Sequence, residues 1–148
     1  MSKPMLQSMQ KFLISISILL FFLLALPIQA QSLLPDTLGA RVKYEATIEM
    51  KSGYLSGICV MVKNERDIKG CLFNEFGISA LDFTYFPDCK KIKLDGVIKM
   101  LNKWYIKKVL KKNLLQLMEN LQQGISTYHD EKYKINYNFL LLRDATEK

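Results

Sequence analysis

The chain has one histidine, His129, in the stretch Ser126-Thr127-Tyr128-His129-Asp130. Hydrolytic catalysis needs a base held against a nucleophile, with a third group orienting the base, and this constellation is defined in space rather than by neighbours in sequence. His129 beside Asp130 is therefore read as a solvated loop pair. Cys59, Cys71 and Cys89 are widely separated, and with a single histidine they do not make a tetrahedral metal set. Gly53, Gly57, Gly70, Gly77 and Gly96 never fall into a phosphate-loop spacing. Glu45 and Glu49 alternate with apolar residues, which places them on the solvated side of a strand. No catalytic residue, metal or cofactor is expected, and the chain is read as a non-enzyme.

Two collective features remain. The first is charge: the formal net charge is +7, and Lys90 to Lys112 holds nine lysines against the single acid Asp95. Nucleic-acid recognition would pair such a stretch with a stacking module, which is not recognisable here, so no nucleic-acid partner is expected. Lys103, Lys107, Lys108, Lys111 and Lys112 are expected either to form a solvated helix face or to contact an anionic membrane surface. The second feature is apolar. Tyr44, Ile48, Val60, Leu72, Phe83, Tyr137 and Phe139 from the strands, with Leu110, Leu114 and Met118 from a helix, are expected to share one interior. They either fill an ordinary core or line a site for an acyl chain.

The elements that position these residues follow from periodicity. Asn102 to Gln122 carries Ile106, Val109, Leu110, Leu114, Leu117, Met118 and Leu121 at spacings of three and four, with lysines between them, and predicts one long amphipathic helix. Asn102 is the expected N-cap and Gly124 the expected residue just past the C-terminus. Arg41 to Met50 alternates strictly, with Val42, Tyr44, Ala46, Ile48 and Met50 on one side. Tyr54 to Lys63 is apolar on both sides and reads as a central strand covered on each face. Ile68 to Glu75, Ile78 to Phe86, Lys90 to Leu94 and Lys132 to Leu142 complete about six strands, the lysine-bearing fifth suiting a sheet edge. A three-residue loop at Asn64 to Arg66 would set Ile58 against Leu72 and Cys59 against Cys71. A slip of one residue would put the two cysteines on opposite faces. The fold class is thus α+β: a curved antiparallel sheet, an incomplete barrel, packed on one long helix.

The N-terminus is a different kind of segment. Lys3 and Lys11 precede the apolar run Phe12 to Leu26, and Pro27 and Ile28-Gln29-Ala30 follow it, which is the pattern of a signal peptide cleaved after Ala30. The expected division is residues 1–30 signal peptide, 31–40 extended lead-in, 41–142 a single α+β domain and 143–148 a tail, with the product exported to the periplasm or cell envelope. An uncleaved membrane anchor is the alternative.

An exported chain of long amphipathic antiparallel strands with a helix before the last strand resembles the LolA/LolB-type lipoprotein carrier fold. Phe73-Asn74-Glu75-Phe76-Gly77 through Asp82-Phe83 is likewise similar to small exported proteins of that general type. The resemblance covers Arg41 to Leu142 and implies a hydrophobic hollow, between sheet and helix, that holds lipid or lipoprotein acyl chains. It transfers no functional residue position by position. The competing expectation is a structural or protein-interaction module of the cell envelope with a filled core.

Overall fold

The computed structural model describes residues 3–24 and 30–143. Helix α1 spans Lys3–Leu24, and its side chains from Gln7 onward lie exposed. Its segment Gln7–Leu24 is long and apolar enough to cross a membrane by length and composition. It takes in Phe12 to Leu24 of the expected apolar run. Residues 25–29, which lead to the expected cleavage point, and the tail residues 144–148 lie outside the described residues.

Among the described residues, seven strands form one antiparallel sheet in the order β5-β4-β3-β2-β1-β7-β6, curled into a half-barrel. They are β1 (Arg41–Met50), β2 (Gly53–Lys63), β3 (Ile68–Asn74), β4 (Ser79–Phe86), β5 (Lys91–Val97), β6 (Thr127–Asp130) and β7 (Ile135–Leu142). A 3-10 turn, Lys99–Leu101, leads into helix α2, Trp104–Gln122. The alternation of β1 is realised as expected: Tyr44, Ala46 and Ile48 are buried, and Arg41, Lys43 and Glu45 are exposed. Helix α2 buries Leu110, Asn113, Leu114, Leu117, Met118 and Leu121, joining one core with Tyr44, Leu72, Phe83, Tyr137 and Phe139. Full burial of each such large apolar side chain contributes ~1.5–3 kcal/mol.

Both ends of α2 have identifiable causes. Gly124, at φ +84, donates its N–H to the Leu121 carbonyl while Ile125 donates to Asn120, closing the C-terminus in a Schellman arrangement. The N-terminus departs from expectation. Asn102 ends the 3-10 turn but does not cap α2; the residue at the cap is Lys103, whose side chain makes no capping hydrogen bond. A lysine carries no acceptor for the free amides of the first turn.

The β2–β3 connection corrects the three-residue loop. Lys63 pairs with Ile68 across a four-residue loop, within which Asn64 donates from its backbone N–H to the Asp67 carbonyl at 2.8 Å and from Nδ2 to the Asp67 carboxylate at 2.8 Å. A three-residue loop would have asked Arg66 for a left-handed backbone, which it does not adopt. The resulting register sets Cys59 beside Leu72 on the inner face and Cys71 beside Val60 on the outer face. Strand β2 is central, yet only its inner face is covered: Ile58 is 38% exposed, and Val60 and Val62 are half-buried on the outer side.

The last correction is β6. Thr127–Asp130 pairs with Ile135–Asn138 of β7, so the polar stretch read as a loop is a short edge strand, and the strand expected from Lys132 begins only at Ile135. Asp130 makes the turn between them by accepting the backbone N–H groups of Lys132 at 2.9 Å and Tyr133 at 3.1 Å. The other edge is β5, with Lys91 and Lys93 outward and Ile92 buried, as its pattern predicts.

Candidate functional site

The core closes tightly under the C-terminal half of α2 and opens under its N-terminal half. There the end of β1, the start of β2, the 3-10 turn and the start of β7 diverge from the helix around a cleft of about 470 Å³. Ile48 and Met50 enter from β1, Leu55 from β2, Leu101 from the 3-10 turn, and Ile106, Val109 and Leu110 from α2. Ile135 and Tyr137 of β7 complete the apolar wall, and Lys51, Ser52, Lys103, Tyr105 and Tyr133 add the polar groups. Most of this lining is aliphatic or aromatic, so the cleft favours an apolar occupant.

Tyr137 holds one wall in place. Its ring is buried, and its hydroxyl accepts a hydrogen bond from Nδ2 of the buried Asn113 at 3.0 Å. Burial, opposed by that amide and reinforced by Asp130 and Tyr128, raises the Tyr137 phenol above its ordinary range. Asp130 goes the other way. Burial pushes its carboxyl up, but the N–H of Tyr133, the Asn113 amide, the N–H of Lys132 and the charge of Lys112 together hold it below the ordinary carboxylate value.

Lys51 lies in the β1–β2 turn and Lys103 at the uncapped start of α2, both exposed. Among the described residues neither makes an ion pair, and no carboxylate is among the residues that line the cleft. The next residue, Trp104, is 76% exposed and meets Tyr105 edge-on at 5.8 Å between ring centroids. Lys132 lies 5.3 Å from the centroid of the Tyr133 ring.

The apolar residues anticipated as ligand-lining divide three ways. Ile48, Leu110 and Tyr137 line the cleft. Tyr44, Leu72, Phe83, Leu114, Met118 and Phe139 are fully packed core and border no part of it. Val60 is on the outer face, because β2 is apolar on both sides and its alternation alone did not identify the covered one. Ile106, Val109 and Met50 already stood on the apolar sides of their elements, so periodicity could have proposed them. Tyr133 is in phase with Ile135 and Tyr137, so the alternation could have proposed it as well, whereas Lys51 carries no such signal, since a turn brings it to the cleft.

Of the lysine row, Lys103, Lys108, Lys111 and Lys112 are exposed and Lys107 is half-buried. Trp104, Lys108 and Lys111 fall at helical spacing and are exposed on the outer side of α2. His129 and Asp130 do not form an acid–base pair: His129 Nδ1 is hydrogen-bonded with Asn136 Oδ1 on the exposed side of β6, while Asp130 turns inward to its loop amides.

No family model, curated protein or solved structure matches this chain.

Proposed function

We propose that this chain is a non-enzymatic binding protein of the cell envelope that holds an acyl chain, of a lipid or a lipoprotein, between its sheet and the start of α2. The cleft carries the reading. At about 470 Å³ it lies within the ~300–1,000 Å³ typical of small-molecule sites. An interaction module needs only a filled core, and Leu114, Met118 and Phe139 supply that at the other end of the helix without help from the cleft. The LolA/LolB-type resemblance supports the same reading at the level of architecture, a half-barrel with a helix against its inner face. Export belongs to the proposal and rests on the exposed apolar helix α1 behind Lys3.

The basic outer side of α2, headed by Trp104, favours attachment of the protein to anionic membrane surfaces at up to ~1 kcal/mol per lysine. Changing Lys107, Lys108, Lys111 and Lys112 to Gln should weaken sedimentation with anionic vesicles and leave neutral vesicles unaffected. Sedimentation with anionic vesicles left unchanged by the four substitutions would remove this part of the proposal.

The acyl reading is tested by displacement of a fluorescent fatty acid from the full chain. Leu110→Trp fills the cleft and should weaken uptake roughly tenfold or more. Leu114→Trp, in the packed core, should instead cost about 1–3 kcal/mol in stability by overpacking. Helix α1 is common to all three proteins, so its own contribution cancels in the comparison. Absence of saturable uptake by the folded wild type, or full retention of uptake by Leu110→Trp, would overturn the acyl reading.

A further inference from the structure

We propose that the cleft selects an amphiphile with one acyl chain and an anionic head group, the head seated between Lys51 and Lys103. The inference rests on the acyl reading above and adds the chemistry of the ligand's other end. The two cationic side chains stand at the mouth, on the β1–β2 turn and at the start of α2, while Leu55, Leu101, Ile106 and Leu110 form the apolar wall. No carboxylate among the lining residues offsets those charges. Neither lysine is committed to an ion pair among the described residues, so both are available to a ligand. The first turn of α2 has no acidic residue and no capping side chain, which adds partial positive charge at the same mouth. Apolar walls with an unopposed positive mouth complement an anionic amphiphile, whereas a neutral head gains nothing from Lys51 and Lys103. The volume, about 470 Å³, falls in the lower part of the ~300–1,000 Å³ range and suits one chain.

The anion can be a carboxylate or a phosphate ester, and the test separates them. Palmitic acid, palmitoyl lysophosphatidylglycerol and neutral monopalmitoylglycerol are compared as competitors for a fluorescent acyl probe on the full chain, at low salt and below their micellar concentrations. One or both anions should bind about tenfold more tightly than the neutral lipid, as expected for two partly solvated charge contacts. The tighter anion identifies the head group. The Lys51→Gln/Lys103→Gln double variant should bring the anions down to the neutral level and leave monopalmitoylglycerol unchanged. Equal binding of all three lipids, or anion binding unaltered in the double variant, would overturn head-group selection and leave the acyl reading standing. Binding of none of them would overturn both.

Discussion

The side-chain amide of Asn113 donates to the hydroxyl of Tyr137 at 3.0 Å, joining the middle of α2 to β7 beside the cleft. Both residues are buried, and the Asn113 carbonyl oxygen is buried without a hydrogen-bond partner among the described residues. Removing one member strands the other. Asn113→Leu should therefore cost about 1–3 kcal/mol, because the Tyr137 hydroxyl is left buried and unpaired. In that background Tyr137→Phe should be neutral or stabilising, since it removes the stranded group. Thermal melts of the two single variants and the double variant form the cycle. Simple additivity of the two losses would show that the bond does not couple the helix to the strand.

The register of β2 and β3 makes a prediction about thiols. Cys59 is buried on the inner face, Cys71 is half-buried on the outer face and Cys89 is exposed. Burial, joined by the neighbouring Cys71, holds the Cys59 thiol far above its ordinary range. A maleimide should label Cys89 rapidly in the native protein, Cys71 more slowly, and Cys59 only on unfolding. Peptide mapping after labelling reads the order. A disulfide-linked Cys59–Cys71 peptide would contradict the register.

Alkaline pH should destabilise the fold in two stages. Tyr44, Tyr137 and Cys59 all have folded-state values raised first by burial. For an acid raised in this way the stabilisation is complete below the unfolded value, and it is lost as pH climbs towards the folded one. The unfolded thiol begins to lose its proton near pH ~8.5 and the unfolded phenols near ~10. Each group held protonated only in the folded state then removes up to about 1.4 kcal/mol per pH unit. Urea titrations between pH 7 and 11 should show the unfolding midpoint falling from about pH 8.5 and more steeply beyond 10. Cys59→Ala should shrink the first stage, leaving the part carried by Cys71, whose thiol is also raised first by burial, and a flat profile in the wild type would contradict the burial of these groups.

The parts of this architecture readable from sequence are those where one periodicity has one solution. Tyr44, Ala46 and Ile48 alternate with charged residues and so declare their face. Leu110, Leu114, Leu117 and Leu121 recur at helical spacing, and Gly124 marks the end of their helix. Thr127 to Asp130 was missed because a four-residue edge strand with polar outward residues does not differ in composition from a loop. Val60 was misplaced because Leu55, Cys59 and Met61 on the other face of the same strand are equally apolar. The cleft itself depends on how far the β1–β2 turn and the start of β7 stand away from α2. That separation is a property of packing, and no single segment encodes it. Its apolar helical lining, Ile106 and Val109, was visible as an amphipathic stripe, but the division between open cleft at Leu110 and closed core at Leu114 was not.

The most direct measurement of acyl-chain capture is paramagnetic broadening of the protein's amide and methyl signals by a fatty acid spin-labelled near its methyl end. Captured in the cleft, the label should broaden Ile48, Leu55, Ile106 and Leu110 while leaving Val60 and Val62 on the outer face sharp, and unlabelled fatty acid should reverse the effect. Broadening centred on the outer face of β2, or spread evenly over the surface, would contradict it.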